Sequence, residues 1–407
     1  MDRVSEFEHL RFGMFIHFGL YSQAEKGEWA WLLNQDIRKD YNRLFEQFNP
    51  VNLDWHDIVS MAKQAGCKYI VLTTRHHEGF SLYDTRGLSD YDVMHTPYGH
   101  DIVKDYVTEC RKQGIVPFLY HTTLDWQNPD FKENFPKYQQ YLRDSVKVLC
   151  QNYGRLGGFW FDGNWSRADA DWEEDALYQM IRQYQPEAIL TNNSGLQGRG
   201  IRGNGLLDTV TFEQGHLDEK NEAETGRHVA MEACETMNHN WGAAEYDLDY
   251  RTPRDLIEML NRCRKTQANY LLNIGLNGDG SVPIMSRALL HQLGVWTNYA
   301  KDSFYDGTMS KLKGTDGVYA LDHEGYTDVY CPQIGLADIN NPIIKSDSFE
   351  PNVVLKGPHR TVASIRWLDN SEALEFKEDS GHIGFYATQF PYGVDLVVRI
   401  ARITWKA

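Results

Sequence analysis

The chain is 407 residues long, enough for a barrel of about 250–300 residues and a smaller module beside it. Its formal net charge of −16 argues against nucleic acid and anionic membrane as partners, since both demand basic patches, and suits a site for neutral substrates. A hydrophobic fraction of 42% supplies ample core, and 11 Trp with 23 Tyr leave aromatic rings for sugar platforms or for large interfaces.

The first residues, MDRVSEFE, lack the charged-then-apolar pattern of a leader, and no run approaches the roughly 18 apolar residues of a membrane span. Cys67, Cys110, Cys150, Cys234, Cys263 and Cys331 stand far apart with no CxxC or CxH spacing. They read as reduced buried thiols of a cytoplasmic protein, with neither a zinc knuckle nor a disulfide framework.

Strand and helix signals then alternate. Apolar runs at 12–19, 68–74, 115–121, 158–162, 188–192, 209–213, 229–234 and 270–274 have the length and burial pattern of parallel strands. Between them, amphipathic stripes predict helices over 54–65, 101–113, 136–151, 171–184, 253–267 and 285–300, several stopped by glycine. Eight strands with interleaved helices point to a (β/α)₈-like barrel, with irregular helices around strands five to seven. No Gly-rich phosphate turn follows an early strand, so a dinucleotide-binding sheet is not indicated. Beyond about residue 304, short β-rich runs at 317–321, 327–331, 362–368, 384–387 and 394–403 are separated by Asp, Asn, Gly and Pro. The expectation is a catalytic barrel over 1–304 and an antiparallel β-sandwich domain over 305–407.

Polar residues gather at the expected C-terminal strand ends, the catalytic face of such barrels. His17 ends strand one, with Glu28 and Trp29 in the loop after it. His76 and His77 follow strand two, Tyr120 and His121 end strand three, and Asn192 and Asn193 end strand five. Glu213 ends strand six, Glu232 falls in strand seven and Asn273 in strand eight. Strand four carries the densest signal. In Gly157–Trp165 an aromatic run stops at Asp162 and a glycine turns the chain, so a carboxylate is delivered from a buried strand to a cleft. A plain alternative is that Asp162 caps a helix starting at Asn164.

Two chemistries fit this set of side chains. Histidines with carboxylates could ligate a metal, although adjacent His76 and His77 would point oppositely in an extended strand. A carboxylate pair could cleave a glycosidic bond while His, Trp and Asn side chains bind hydroxyls and ring faces.

The stretches RFGMFIHFGLYS at 11–22, Gly27-Glu28-Trp29, TTRHHEGF at 73–80, FLYH at 118–121, WFDG at 160–163 and NYLLNIG at 269–275 resemble the α-L-fucosidase family of glycoside hydrolases, family 29. They span the barrel in the family's order. The resemblance implies a retaining, exo-acting hydrolase of terminal α-L-fucosyl residues that works through a covalent glycosyl-enzyme. No cofactor and no metal are implied, and the partners are fucosylated oligosaccharides or glycoconjugates. It further implies Asp162 as nucleophile and His17, Glu28, Trp29, His76, His77, Tyr120 and Trp160 as fucose-binding residues. The family does not hold its acid/base at one position: Glu213 fits best by its place at a strand end, and Glu232 is the runner-up. Many members carry an arginine after strand five, where this chain reads Asn192-Asn193-Ser194, so Arg199 or Arg202 is expected to substitute. A retaining enzyme for a related sugar and a silent carbohydrate-binding protein stay open beside this reading, as does assembly of a homo-oligomer through the β-rich tail.

Overall fold

The computed structural model describes residues 2–215, 217, 227–337 and 350–406. The chain divides into two compact units, Met1–Arg251 with Ala268–His291, and Thr252–Gln267 with Gln292–Ala407.

The first unit is built on eight parallel strands: β1 Phe12–His17, β2 Tyr69–Arg75, β3 Val116–Thr122, β4 Gly158–Asp162, β5 Ile189–Asn192, β6 Thr209–Glu213, β7 Ala230–Thr236 and β8 Asn269–Gly275. Nearly every residue in them is buried, as expected of strands with a core on one face and helices on the other. Hydrogen-bonded neighbours run in the order β5-β4-β3-β2-β1-β8-β7-β6, so the sheet curls into a barrel whose one seam lies between β5 and β6. There the ladder gives way to individual bonds. Asp208 N donates to Leu190 O at 2.9 Å, and Leu190 N donates to Asp208 Oδ2 at 3.0 Å. Thr209 Oγ1 donates to Thr191 Oγ1 at 2.8 Å. The fully buried Asp208 carboxylate is also held by Arg3, Arg182 and Arg227, so the seam closes on a compensated charge.

Helices α1 Arg3–Glu8, α2 Trp55–Ala65, α3 Ile102–Gln113, α4 Phe135–Asn152 and α5 Glu174–Tyr184 belong to the same unit. Asp54 and Asp101 accept backbone N–H groups at the starts of α2 and α3. Gly66 (φ 103°) and Gly114 (φ 75°) end these helices in the left-handed region that favours glycine. Inside the barrel, a Cβ on Gly13 would lie 2.4 Å from the Tyr69 ring; the glycine is what lets that ring fill the interior. The long loop after β1, which carries no regular pattern in the sequence, folds as four short helical turns between Tyr21 and Gln47. The connection from β6 to β7 lies largely outside the described residues.

In the second unit, helix Pro253–Lys265 starts in a reciprocal Thr252–Asp255 capping box. The β-rich tail forms two antiparallel sheets. One orders Lys313–Gly314, Val353–Lys356, His382–Phe385 and Phe376–Asp379; the other orders Val362–Trp367, Arg399–Trp405, Tyr326–Cys331, Tyr319–Asp322 and Thr308–Met309. Their inner faces share a core that includes Leu355, Ile365, Trp367, Ile383, Phe385 and Ile403. The strand expected at 394–403 begins only at Arg399, because Val397 (φ 65°) turns the chain just before it. Among the described residues, no helix is long and apolar enough to cross a membrane.

Candidate active site

A cavity of about 400 Å³ opens at the C-terminal ends of the barrel strands. It is lined by Phe15, His17, Glu28, Trp29, His76, His77, Tyr120, Trp160, Asp162, Trp165, Asn193, Glu213 and Trp241, with residues 194–197 at one side. Every fucose-binding candidate and two of the three candidate carboxyls therefore meet in one place.

Asp162 is the last residue of β4. It caps no helix: Gly163 precedes a single 3₁₀ turn, and Asp162 Oδ1 accepts instead from the Trp165 indole Nε1 at 2.8 Å. Asn193 Nδ2 donates to the same oxygen at 3.2 Å. On the other side, Tyr120 OH donates to Oδ2 at 3.2 Å, and His77 Nε2 stands 3.3 Å from it. Burial pushes this carboxyl up, but His77 and the Trp165 and Asn193 donors outweigh it and hold Asp162 below the usual range.

Glu213, the last residue of β6, has the opposite balance. Burial, then repulsion from Asp162, pushes its carboxyl up to about 7, against weaker pulls from Asn193 and Arg199. Asn193 Nδ2 bonds Glu213 Oε2 at 2.7 Å and Asp162 Oδ1 at 3.2 Å. Two carboxyl oxygens reached from one nitrogen are at most roughly 6 Å apart, comparable with the about 5–5.5 Å of retaining glycosidases. Below about pH 7 the pair offers one carboxylate and one carboxylic acid, the division that acid-assisted displacement requires.

Glu232 faces the barrel interior but does not line the cavity. Its Oε2 accepts from Tyr69 OH at 2.5 Å and its Oε1 from Trp160 Nε1 at 2.8 Å. Burial raises it to about 7 as well, and the residue is only 1% exposed, with both oxygens occupied. Its part is to hold the Trp160 ring that floors the cavity. By register Glu232 pairs with Thr211, two residues deeper than Glu213, and β7 runs on past it to Thr236.

His17 Nδ1 lies 2.7 Å from Asn273 Oδ1, while Asn273 Nδ2 donates to Trp241 O at 2.7 Å. That chain puts the His17 proton on Nδ1 and leaves Nε2 as an acceptor; burial keeps the ring neutral, with its pKa pushed down to about 3. Glu28 Oε2 accepts the Trp241 and Gly242 N–H groups at 3.0 and 2.8 Å. His76 and His77 sit in the loop after β2, so strand alternation does not separate them: their ring centroids are 4.2 Å apart and both face the cavity. The Trp29 and Trp165 rings lie at 22° with centroids 6.0 Å apart. Among the described residues, no three His, Cys, Asp or Glu groups are placed to hold a metal ion together.

Other expectations are corrected. Arg199 bonds the carbonyls of Glu213 and Gln214, and Arg202 those of Gly205 and Leu207; neither lines the cavity. His121 is buried against Tyr83 and its own strand, and Asn192 donates to Glu174 and Tyr178. Conversely, Trp165 and Trp241 are lining residues with no role expected from the sequence, while Asn193, expected only as a polar strand end, lines the cavity beside them. Trp165 closes the very stretch that announced Asp162, and an indole three residues from a rim carboxylate was the signal. A larger cavity, about 1040 Å³, shares Trp165, Asn193 and Ser194 with the first and continues past Arg143, Trp172, Glu174 and Arg202.

The α-L-fucosidase family model matches residues 2–302. An α-L-fucosidase of Dictyostelium discoideum is 23% identical over 401 residues, covering 88% of this chain and 85% of that protein. Tissue α-L-fucosidase of Mus musculus is 25% identical, covering 83% and 80%. Among solved structures, α-L-fucosidase isoenzyme 1 from Paenibacillus thiaminolyticus superposes with a TM-score of 0.82 at 29% identity, covering 100% of this chain and 99% of that one. The fold is also that of a family 29 α-L-fucosidase from Bacteroides thetaiotaomicron, whose covalent intermediate was trapped with 2-fluoro-fucosyl fluoride (TM-score 0.76, 22% identity, covering 100% and 96%). With the matched region spanning the whole barrel and its cavity, the chain belongs to the α-L-fucosidase family of glycoside hydrolases, family 29.

Proposed function

We propose that the enzyme is an exo-acting, retaining α-L-fucosidase in which Asp162 is the nucleophile and Glu213 the acid/base. The observation that carries this is the Asp162–Asn193–Glu213 bridge, which holds two carboxyls of opposite protonation within reach of one glycosidic bond. In the first step Asp162 attacks the anomeric carbon, the bond to the leaving oxygen breaks, and Glu213 gives that oxygen its proton. In the second, ionised Glu213 takes a proton from water as the water's oxygen displaces Asp162 from the sugar.

The cavity's volume suits one sugar ring, which favours cleavage at a chain end. His17 Nε2 accepts from a fucose hydroxyl, Glu28 and His76 line the same wall, and Phe15, Trp160 and Trp241 offer apolar surface to the C5 methyl. Because Glu213 must face the leaving oxygen, the rest of the glycan extends past Asn193 and Trp165 into the larger cavity. The 1–304 barrel carries all of this chemistry, with 305–407 as an appended sandwich. The six buried cysteines, far apart in the sequence, suit a cytoplasmic enzyme.

Azide tests the assignment. Asp162→Gly is expected to lose roughly a thousandfold or more in kcat and to regain turnover with azide as the β-fucosyl azide. Glu213→Ala should give the α-fucosyl azide instead. The opposite pairing of products, or rescue of neither variant, contradicts the roles.

A further inference from the structure

Asn193 uses all of its hydrogen-bonding capacity. Its Oδ1 accepts from Thr211 Oγ1 at 3.0 Å and from Gly195 N at 3.2 Å. Its two amide hydrogens go to Glu213 Oε2 and Asp162 Oδ1. The residue is 4% exposed, and its backbone N bonds Phe161 O at 2.8 Å, which extends the β4–β5 ladder by one rung. A flipped amide would point its oxygen at a carboxylate and its hydrogens at two donors, so the orientation is fixed.

This orientation has a consequence for the proton. The carbonyl oxygen of a carboxylic acid is a far better acceptor than its hydroxyl oxygen, so the bond from Asn193 to Oε2 favours the Glu213 proton on Oε1. When Glu213 gives that proton to the leaving oxygen, Asp162 becomes an ester and the negative charge passes to Glu213. The amide already touches both ends of that transfer, and its two bonds exchange strength as the charge moves. We propose that Asn193 is a positioning residue that directs the Glu213 proton to Oε1 and stabilises the migrating charge on either carboxyl in turn. This rests on the assignment of Asp162 and Glu213 above.

The charged and titratable groups facing Glu213 are Asp162 on β4, Arg199 beside the end of β6, Glu28 after β1 and Cys234 on β7; Asp162 in turn faces His77, Tyr120 and His17. Asn193→Ala leaves all of them in place and removes one donor from each carboxyl. Losing a donor to the ionised form raises a carboxyl's pKa, so both limbs of the kcat/KM profile should move to higher pH, by about half a unit or more. The loss in kcat/KM should also be roughly tenfold greater for an α-L-fucoside of a weakly acidic phenol than for one of a strongly acidic phenol, which needs no proton. Thr211→Val frees the amide to turn and should shift the profile the same way by less. An unmoved profile with equal losses on both substrates would overturn the proposal. If Asn193→Ala does not fold, Thr211→Val decides by the same two readouts, and an unchanged L-fucose inhibition constant confirms that its cavity is intact. Glu213→Ala is run alongside. If it keeps the wild-type alkaline limb, the acid is misassigned; if it loses that limb while Asn193→Ala and Thr211→Val do not move it, only the role of Asn193 fails.

Discussion

The rim of the barrel and the sandwich unit both bury charge, and they treat it differently. In the sandwich, Arg399 is fully buried, but it makes two 2.9 Å bonds to Asp369 and lies over the Trp367 ring at 4.3 Å. Arg402 likewise meets buried Asp328 through two 2.8 Å bonds. These charges are compensated locally, Arg399 also donating to the Thr388 and Gln389 carbonyls. At the barrel's rim, Asp162 is held ionised by neutral and histidine donors, while Glu213, among the described residues, has no cation on its carboxylate oxygens and keeps its proton up to about pH 7. A buried charge matched within its own unit serves the fold. One whose balance is left incomplete toward an open cavity serves chemistry at the expense of stability.

Substitutions can break that contrast, beginning with the largest effect on stability. Arg399→Met leaves Asp369 without its partner and should destabilise the sandwich by about 3–5 kcal/mol, read from chemical denaturation. A loss below about 1 kcal/mol would mean that the pair is not the clamp its geometry suggests.

Glu213→Gln should act in the opposite sense. The folded state raises this carboxyl from its ordinary 4.5 to about 7, so it holds the proton more tightly than the unfolded chain does between those values. Its contribution is fully present below about 4.5, declines as pH rises, and is gone above about 7. Above that pH the glutamine variant should be more stable than wild type by about 1–3 kcal/mol while being catalytically crippled. Equal stability of the two proteins at pH 8 would contradict the burial of an uncompensated acid. With Glu213 proposed as the acid, kcat/KM should fall as pH rises through about 7, where Glu213 loses its proton.

Glu232→Gln has the smallest expected effect. One amide hydrogen must face Trp160 or Tyr69, the floor of the cavity shifts, and kcat/KM should fall about tenfold with the alkaline limb unmoved. Disappearance of that limb would return Glu232 to the role of acid.

The two glutamates also show what a sequence can and cannot carry. Eight buried strands are legible because each is a short apolar run, and Asp162 is legible because it ends one. Glu213 and Glu232 look alike as residues, both on barrel strands, and they differ in depth. β6 stops at Glu213, whereas β7 continues past Glu232 to Thr236, and only the paired register reveals that difference. Trp241 enters the cavity from a loop after β7, held by Glu28 more than two hundred residues away, a contact with no local pattern. Asn193 was visible as a polar strand end. That its amide spans two carboxyls depends on β4, β5 and β6 lying side by side.

Trapping the intermediate goes most directly to the central claim. After incubation with a 2-fluoro-fucosyl fluoride, proteolysis and mass spectrometry should place a single fucosyl ester on Asp162, at the end of β4. An adduct on any other residue, Glu213 and Glu232 included, would contradict the account, as would turnover of the reagent with inversion and no adduct at all.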